Sequence, residues 1–360
     1  MKVWHLISNR WNSAISEYAL SAAKAMRLLG AESLITCLAE SPIETRFKVA
    51  GFALKSVEGF GPGRFARLAA INKEFAPDVI MTYGGPETTA AFFFKGKSKL
   101  VRFHGHGIHS AGSLQRTTRK IGHLHVDTVL TPSRALAAGL MDDVGCSVEA
   151  VTLGIDSSLY EFKNLQRAER PELLIFGRLD PVKGHREFMS LFTKILALSD
   201  LHGGARPRLR IVGLPANLSK THLIEHAKTI GLSQDDFDIQ CDRISNTAEL
   251  MSKVSLGVVS SLGSELICRV AEEFLLCGTP VVATAVGSLP EVFVRPEFGA
   301  SYISHETPGA AKIIFDLLMA SHEETSTIRQ SRALAAKAEF SIEAMSERLR
   351  LIIIGGNHQQ

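Results

Sequence analysis

One pattern constrains this fold more than any other, and it occurs twice along 360 residues: a short apolar strand, a loop, then an amphipathic helix. In the first half, strands are expected over 2–8, 34–38, 79–82, 100–103 and 128–131. Helices are expected over 13–29, 64–75, 86–94, 113–122 and 133–141. The first is the clearest, with Ile15, Ala19, Ala22, Ala23, Met26 and Leu29 near helical spacing and Gly30 as a stop. The rhythm restarts with strand 172–176 and helix 183–197, then strand 208–213, helix 218–230 and strand 237–241. Helix 246–253, strand 255–260, helix 269–276 and strand 280–283 follow. Strands alternating with helices call for a parallel sheet covered on both faces. Two such series give the expected fold class: α/β, two Rossmann-like domains facing across a cleft. The join falls near 154–170, where Gly154, Asp156, Ser157 and Ser158 and a charged stretch interrupt the apolar pattern. The expected division is 1–155 with a returning C-terminal helix 340–354, then 156–339, then a polar tail 355–360.

Composition narrows the class. At 45% hydrophobic and 21% charged residues, collagen-like, disordered and disulfide-scaffold chains are excluded. No stretch of about 18 apolar residues could form a spanning helix. The N-terminus reads as a first strand and not a signal peptide. Cys37, Cys146, Cys241, Cys268 and Cys277 are scattered without CxxC spacing, as expected of reduced thiols in a cytosolic chain, and read as small core hydrophobes. The net charge is only +3, but residues 1–155 hold eighteen Lys and Arg against twelve Asp and Glu. The excess gathers at Arg64, Arg67 and Lys73, at Lys95, Lys97, Lys99 and Arg102, and at Arg116, Arg119 and Lys120. Phe65, Phe75 and Phe92–Phe94 interleave with it. A solvated face is the plainer reading. Attraction to an anionic membrane surface or an acidic acceptor is the sharper one.

Three segments of the second half carry chemistry. In Phe176-Gly177-Arg178-Leu179-Asp180-Pro181-Val182-Lys183-Gly184-His185, a strand ends and a loop brings Arg178 and Lys183 to the carboxyl edge of the sheet. Ligands of open α/β sheets sit at that edge, and an Arg with a Lys there can hold a diphosphate. In the stretch 260–273, a small-residue loop leads into a helix whose free N–H groups suit a phosphate. Glu265 stands at the mouth and Glu273 deeper along the same side, able to accept hydrogen bonds from hydroxyls of two linked sugars. In the stretch 277–291, Gly278 ends that helix, Pro280 opens a buried strand, and Gly287-Ser288 turn into another helix.

The pair Glu265 and Glu273, followed by CGTPVVAT-x-VGSLPE and preceded by GRLDPVKGH, resembles the retaining glycosyltransferases of family 4, which have the GT-B fold. Pro132-Ser133 and Leu153-Gly154-Ile155-Asp156 look like further markers of that family. The resemblance implies transfer of a sugar from a nucleotide diphosphate sugar to a glycan, lipid-linked or envelope-polysaccharide acceptor, without metal or other cofactor. It implies that Arg178 and Lys183 bind the diphosphate, Glu265 the sugar hydroxyls and Glu273 the ribose. The amides of Leu266, Ile267 and Cys268 lie near sugar and phosphate, with Gly177 and Arg269 beside them. An N-domain His near the donor sugar is matched best by His104, with His106 as rival and acceptor-side candidate. Two stretches depart from the pattern. The family's Gly-Gly loop is here Arg10-Trp11-Asn12-Ser13-Ala14. Ser13 and Ala14 still permit approach to the donor, while Trp11 and Asn12 fall to the acceptor. The family's Gly-Phe-Gly is here Leu266-Ile267-Cys268. The resemblance also implies an enzyme at work in the cytoplasm, with peripheral contact at the inner membrane face following from the basic first domain and no nucleic-acid partner.

Competing readings are weaker. A glycosidase pair must flank a bond from two sides, which two carboxylates across one helix start do not. Glu272 reads as a surface salt-bridge former. Arg269 is equally suited to pairing or phosphate contact. His104, His106, His109, His123 and His125 lack the Asp, Glu or Cys a metal site needs, so no metal is expected. Asp236-Phe237-Asp238 resembles a metal-binding DxD motif but sits where a turn enters a strand. Gly96-Lys97-Ser98 follows three Phe, which cannot form a phosphate nest. The remaining alternatives are a GT-B nucleotide-sugar epimerase or phosphorylase, and a catalytically silent GT-B scaffold that binds only a ligand or partner.

Overall fold

The computed structural model describes residues 1–106, 123–203, 205–263 and 265–355. The expected helix over 113–122, with Arg116, Arg119, Lys120 and His109, lies outside the described residues, as does Ser264. The chain divides into two compact units, Met1–Gly154 with Phe340–Gln360, and Ile155–Glu339.

The first unit is built on seven strands: β1 (Lys2–Ile7), β2 (Glu32–Cys37), β3 (Ala53–Leu54), β4 (Val79–Thr82), β5 (Lys99–Phe103), β6 (Thr128–Thr131) and β7 (Ser147–Ala150). They lie in the order β3-β2-β1-β4-β5-β6-β7, and neighbours pair in parallel, as with Trp4 opposite Leu34 on one side and Ile80 on the other. Every residue of β4 and β6 is buried, because helices cover both faces. Helix Ala14–Leu28 begins in a capping box, in which Ser13 and Ser16 each accept from the other's backbone N–H. It buries Tyr18, Ala19, Ala22, Ala23 and Met26, close to the expected face. The last helix, Ile342–Ile353, packs on the same unit: Ser346 Oγ donates to the Ala25 carbonyl at 2.9 Å and Lys99 Nζ to that of Ile352 at 3.0 Å. Gly154 is needed where it passes, since a Cβ there would lie 2.9 Å from Ile342 Cα. Helix Pro42–Val49 was not foreseen, although Ser41 caps it and Pro42 occupies its first turn.

The second unit is built on six strands: β8 (Glu172–Phe176), β9 (Arg208–Val212), β10 (Phe237–Gln240), β11 (Leu256–Val259), β12 (Val281–Thr284) and β13 (Gly299–Tyr302). Their order is β10-β9-β8-β11-β12-β13, again parallel between neighbours. Its core runs from Leu173 and Ile175 through Phe188, Phe192 and Ile211 to Ile314 and Leu318. Strand β13 and helix Ala310–His322 were not foreseen, and the expected C-terminal helix 340–354 runs from Ile342 to Ile353. Asp236 is a turn residue, as expected: it accepts from Ser233 and pairs with Arg206.

Helix Ser326–Phe340 is tied down by charge. Arg329 donates to the Ser252 carbonyl, Arg332 to that of Gly278 at 2.9 Å, and Arg167 to that of Ser321. Ser252 and Ser321 lie in the last turns of their helices and Gly278 just beyond Arg269–Leu276. Three guanidinium groups thus cap three helix C-termini, whose unpaired carbonyls carry partial negative charge. Glu324 bridges two of them, accepting from Arg332 at 2.8 Å and lying 4.0 Å from Arg167.

In both sheets the strand order reverses once, between β1 and β4 in the first unit and between β8 and β11 in the second. Such switch points open a crevice at the carboxyl ends of the strands, where ligands of this architecture bind.

Candidate active site

At the second unit's switch point lies a pocket of about 130 Å³. Gly177 comes from the end of β8, Ser260 and Ser261 from the end of β11, and Cys268 and Arg269 from the start of the next helix, with Lys183, His185, Glu265 and Ile267 completing the wall.

The loop after β8 is shaped by local bonds. Asp180 caps a turn by accepting from Val182 N–H at 3.1 Å and also accepts from Asn217 at 2.8 Å. Those two hydrogen bonds, the Val182 amide first, hold its carboxyl below the usual range. Gly184 takes φ +66°, and a Cβ there would lie 2.0 Å from the Ser260 carbonyl oxygen, so only glycine lets the two loops meet. Ser260 Oγ donates to the Lys183 carbonyl at 2.8 Å, locking that meeting. Lys183 then reaches across the pocket and donates to Glu265, which also accepts from Ser261 Oγ at 2.5 Å. The Glu265 backbone is fixed too, its carbonyl accepting from Ser288 N–H at 2.7 Å beside Gly287 at φ +58°.

The helix Arg269–Leu276 starts at Cys268, which makes no side-chain cap. The positive end of its dipole lies at the pocket wall, where it favours an anion. Burial raises the Cys268 thiol well above its ordinary value, with Glu272 and Glu265 adding to the effect, so it stays neutral there.

The structure brings together Lys183, Glu265, Gly177, Ile267, Cys268 and Arg269. Arg178 lies exposed on the same loop, and Leu266 is half-buried outside the pocket wall. Glu273 is buried behind the pocket wall and accepts from Arg269 Nε at 2.5 Å. Arg269 therefore does both things considered for it: it pairs with Glu273 and borders the pocket. Tyr160 completes this group. Burial, and next the adjacent Glu273 carboxylate, push its hydroxyl up to about 12. Glu272 corrects the surface reading, being only 2% exposed. Of the cysteines, Cys37, Cys268 and Cys277 are buried, whereas Cys146 and Cys241 are half-buried.

His185 was quoted in the motif without a role. Its ring is buried, and Nε2 donates to the Arg178 carbonyl at 2.9 Å, so it positions the loop. Burial is the main cause that lowers its pKa and keeps it neutral. Ser260 and Ser261 were likewise missed. Small polar residues at a strand end are a signal for such a wall, but common ones.

In the first unit, Trp11 is 72% exposed, Asn12 and Ala14 are exposed, and Ser13 is occupied as the helix cap. His104 is half-buried with its N–H donating to the Leu130 carbonyl at 2.8 Å, and His106 is exposed.

Residues 170–318, which hold this pocket, match the family model described as glycosyl transferases group 1. No curated protein sequence matches the chain. Among solved structures, the chain is similar to Alr3699/HepE of Anabaena in complex with UDP, at 18% identity and TM-score 0.80, over 99% of this chain and 100% of that one. The same protein with UDP-glucose aligns at TM-score 0.70 over the same shares. Sucrose-phosphate synthase from Thermosynechococcus elongatus aligns at 17% identity and TM-score 0.70, over 99% of both chains. The lipopolysaccharide outer core galactosyltransferase WaaB aligns at 12% identity and TM-score 0.69, over 99% of this chain and 100% of that one. The fold is GT-B, with two parallel Rossmann-like sheets, as the resemblance implied. The chain thus has the GT-B fold, and the match to the group 1 glycosyl transferase model is confined to residues 170–318 of its second unit.

Proposed function

We propose that this protein transfers a sugar from a UDP-sugar to a glycan, lipid-linked or envelope-polysaccharide acceptor, with the anomeric configuration retained. The second unit is the donor side and the first unit the acceptor side. One observation carries the reading: an uncapped helix start, a lysine and a buried carboxylate converge at the switch point of the second sheet. The UDP and UDP-glucose held by the Anabaena protein support the choice of donor.

The chemistry follows from charge. As the bond from sugar to diphosphate breaks, negative charge grows on the leaving phosphate. Lys183, Arg178 and the helix-start amides of Cys268 and Arg269 stabilise it electrostatically. In the structure Lys183 is partnered by Glu265. Donor phosphate takes over the ammonium and leaves the Glu265 carboxylate, still held by Ser261, to accept sugar hydroxyls. Retention follows if the departing phosphate oxygen takes the acceptor's proton on the face where the new bond forms. Glu273 serves the ribose hydroxyls, exchanging part of its bond with Arg269 for them. His104 serves the donor sugar, and His106 serves the acceptor side together with Trp11 and Asn12. No residue of this set needs a metal ion.

A peripheral site of action is part of the proposal. Among the described residues no helix is long and apolar enough to cross a membrane. Phe92 and Phe93, 42% and 63% exposed, stand with Lys97 on one helix end of the first unit, a face suited to an anionic bilayer at the cytoplasmic side. Its charge is weaker than the sequence implied, because Lys95 pairs with Asp127 and Arg64 with Glu58. Vesicles rich in anionic lipid should retain the protein at low salt; no retention contradicts this part.

Thermal unfolding with a panel of UDP-, GDP-, ADP- and CMP-sugars tests the central reading. A bound ligand raises the midpoint. A rise with UDP-sugars alone is expected, lost in Lys183→Ala. No rise with any member of the panel overturns the donor assignment and brings forward the silent scaffold.

A further inference from the structure

The first unit's switch point holds a carboxyl that the donor chemistry does not use. Glu87 lies in the first turn of helix Gly85–Phe94, directly after β4, and is fully buried. Its Oε1 accepts from the Ser8 backbone N–H at 3.1 Å, and Ser8 is the first residue beyond β1. The bond therefore spans the crevice between the two strands at which the sheet reverses. Its other oxygen, Oε2, is buried with no hydrogen-bond partner. Two further observations show that the site is built around this carboxyl. Gly84 precedes the helix, and a Cβ there would lie 3.0 Å from both carboxylate oxygens and 3.1 Å from Ser8 Oγ. Beyond Ser8, Asn9 donates to Ser13 Oγ at 2.6 Å, so the turn from β1 to the capping box forms a chain of bonds that starts at Glu87.

Burying a carboxyl so completely costs several kcal/mol unless it is neutralised or well bonded. A glutamine would accept the same amide without that cost. What the position requires is an acceptor for the Ser8 amide, with or without a charge. The nearby Arg102 guanidinium feels this carboxyl, and burial, the dominant influence on Glu87, raises its pKa.

We propose that Glu87 is a positioning residue for the transfer reaction: it clamps the Ser8–Ser13 turn across the β1/β4 crevice, so that the turn presents Trp11 and Asn12 to the acceptor in one fixed geometry. This rests on the assignment of the first unit to the acceptor, and the test separates the two. Amide hydrogen exchange of peptides covering 8–13 needs no ligand. In Glu87→Ala, and in Gly84→Ala, which pushes on the carboxylate from outside, exchange there should quicken at least tenfold, while Glu87→Gln stays close to wild type. UDP affinity should stay within twofold in all three, because the donor pocket belongs to the other unit. UDP release from UDP-glucose on transfer to a lipid-linked glycan acceptor, with the acceptor-free rate subtracted, should fall at least tenfold in kcat in the two alanine variants, with KM for the donor little changed, and the glutamine variant should recover to within about threefold. Unchanged exchange over 8–13 in both alanine variants overturns the clamp. Faster exchange with unchanged kcat overturns its part in the reaction. If the wild-type protein binds no UDP, the donor assignment fails, and the exchange result still decides the clamp.

Discussion

The two units share an architecture and differ in how they handle polarity near their switch points. In the second, charges meet charges: Lys183 with Glu265, Arg269 with Glu273, and three arginines around Glu324 and three helix ends. In the first, buried polar groups are mostly neutral and meet one another. Trp4 donates to Thr36 at 2.9 Å, His5 bonds Tyr83 at 2.8 Å, Tyr18 donates to the Val151 carbonyl at 2.9 Å, and Thr82 bonds Thr88 at 2.8 Å. A site that stabilises a leaving diphosphate needs formal charge held in place, whereas a crevice that sorts neutral hydroxyls needs shape and oriented dipoles. Glu87 is the one fully buried carboxylate among the described residues of the first unit, and so breaks its pattern.

Breaking the charged network should cost most. Arg332→Ala strands Glu324 and leaves the Gly278 carbonyl unbonded. Removing one member of such a buried group costs about 3–5 kcal/mol, which urea unfolding followed by a probe in the second unit should register. A loss below about 1 kcal/mol would show that the helix ends need no cap.

A smaller loss separates the units by pH. Burial holds His5 down to about 3, and its ring is neutral in the folded state. The unfolded chain titrates near 6.5. A lowered pKa of this kind contributes stability that is complete above the unfolded value and is lost as pH falls from about 6.5 toward 3. The first unit should therefore lose stability over that window with a slope approaching about 1.4 kcal/mol per pH unit. His5→Phe should lack that slope while being less stable at neutral pH, because the Tyr83 hydroxyl loses its partner. Parallel pH profiles for the two proteins would contradict a buried neutral histidine.

Tyr160→Phe should have the smallest effect. It removes a hydroxyl behind the pocket wall, beside Glu273 and Arg269, while Arg269 keeps its pairing with Glu273, so UDP affinity should change less than threefold and stability by about 1 kcal/mol. A tenfold loss of affinity would show that the Arg269 pairing does not by itself hold Glu273 in place.

Much of this was legible in the residues. Strands 79–82 and 128–131 were bounded as observed, because fully buried parallel strands leave uninterrupted apolar runs. Lys183 and Glu265 were each legible because one motif closes a strand loop and the other opens a helix, but their contact was not. What escaped was set by distant partners. Glu273 is turned toward Arg269 and Tyr160, the latter 113 residues earlier, and no local pattern reports that. Glu272 sits at a position whose charge points to solvent, yet the fold buries it. Glu87 has no sequence motif of its own, and only the sheet order places Ser8 beside it.

Titration calorimetry of UDP into wild-type protein, Lys183→Ala and Glu87→Gln tests the division most directly. The wild type should bind, Lys183→Ala should lose about tenfold or more for one charge-assisted phosphate contact, and Glu87→Gln should match wild type. Equal affinity in all three, or a loss confined to Glu87→Gln, would contradict the assignment of the donor to the charged switch point.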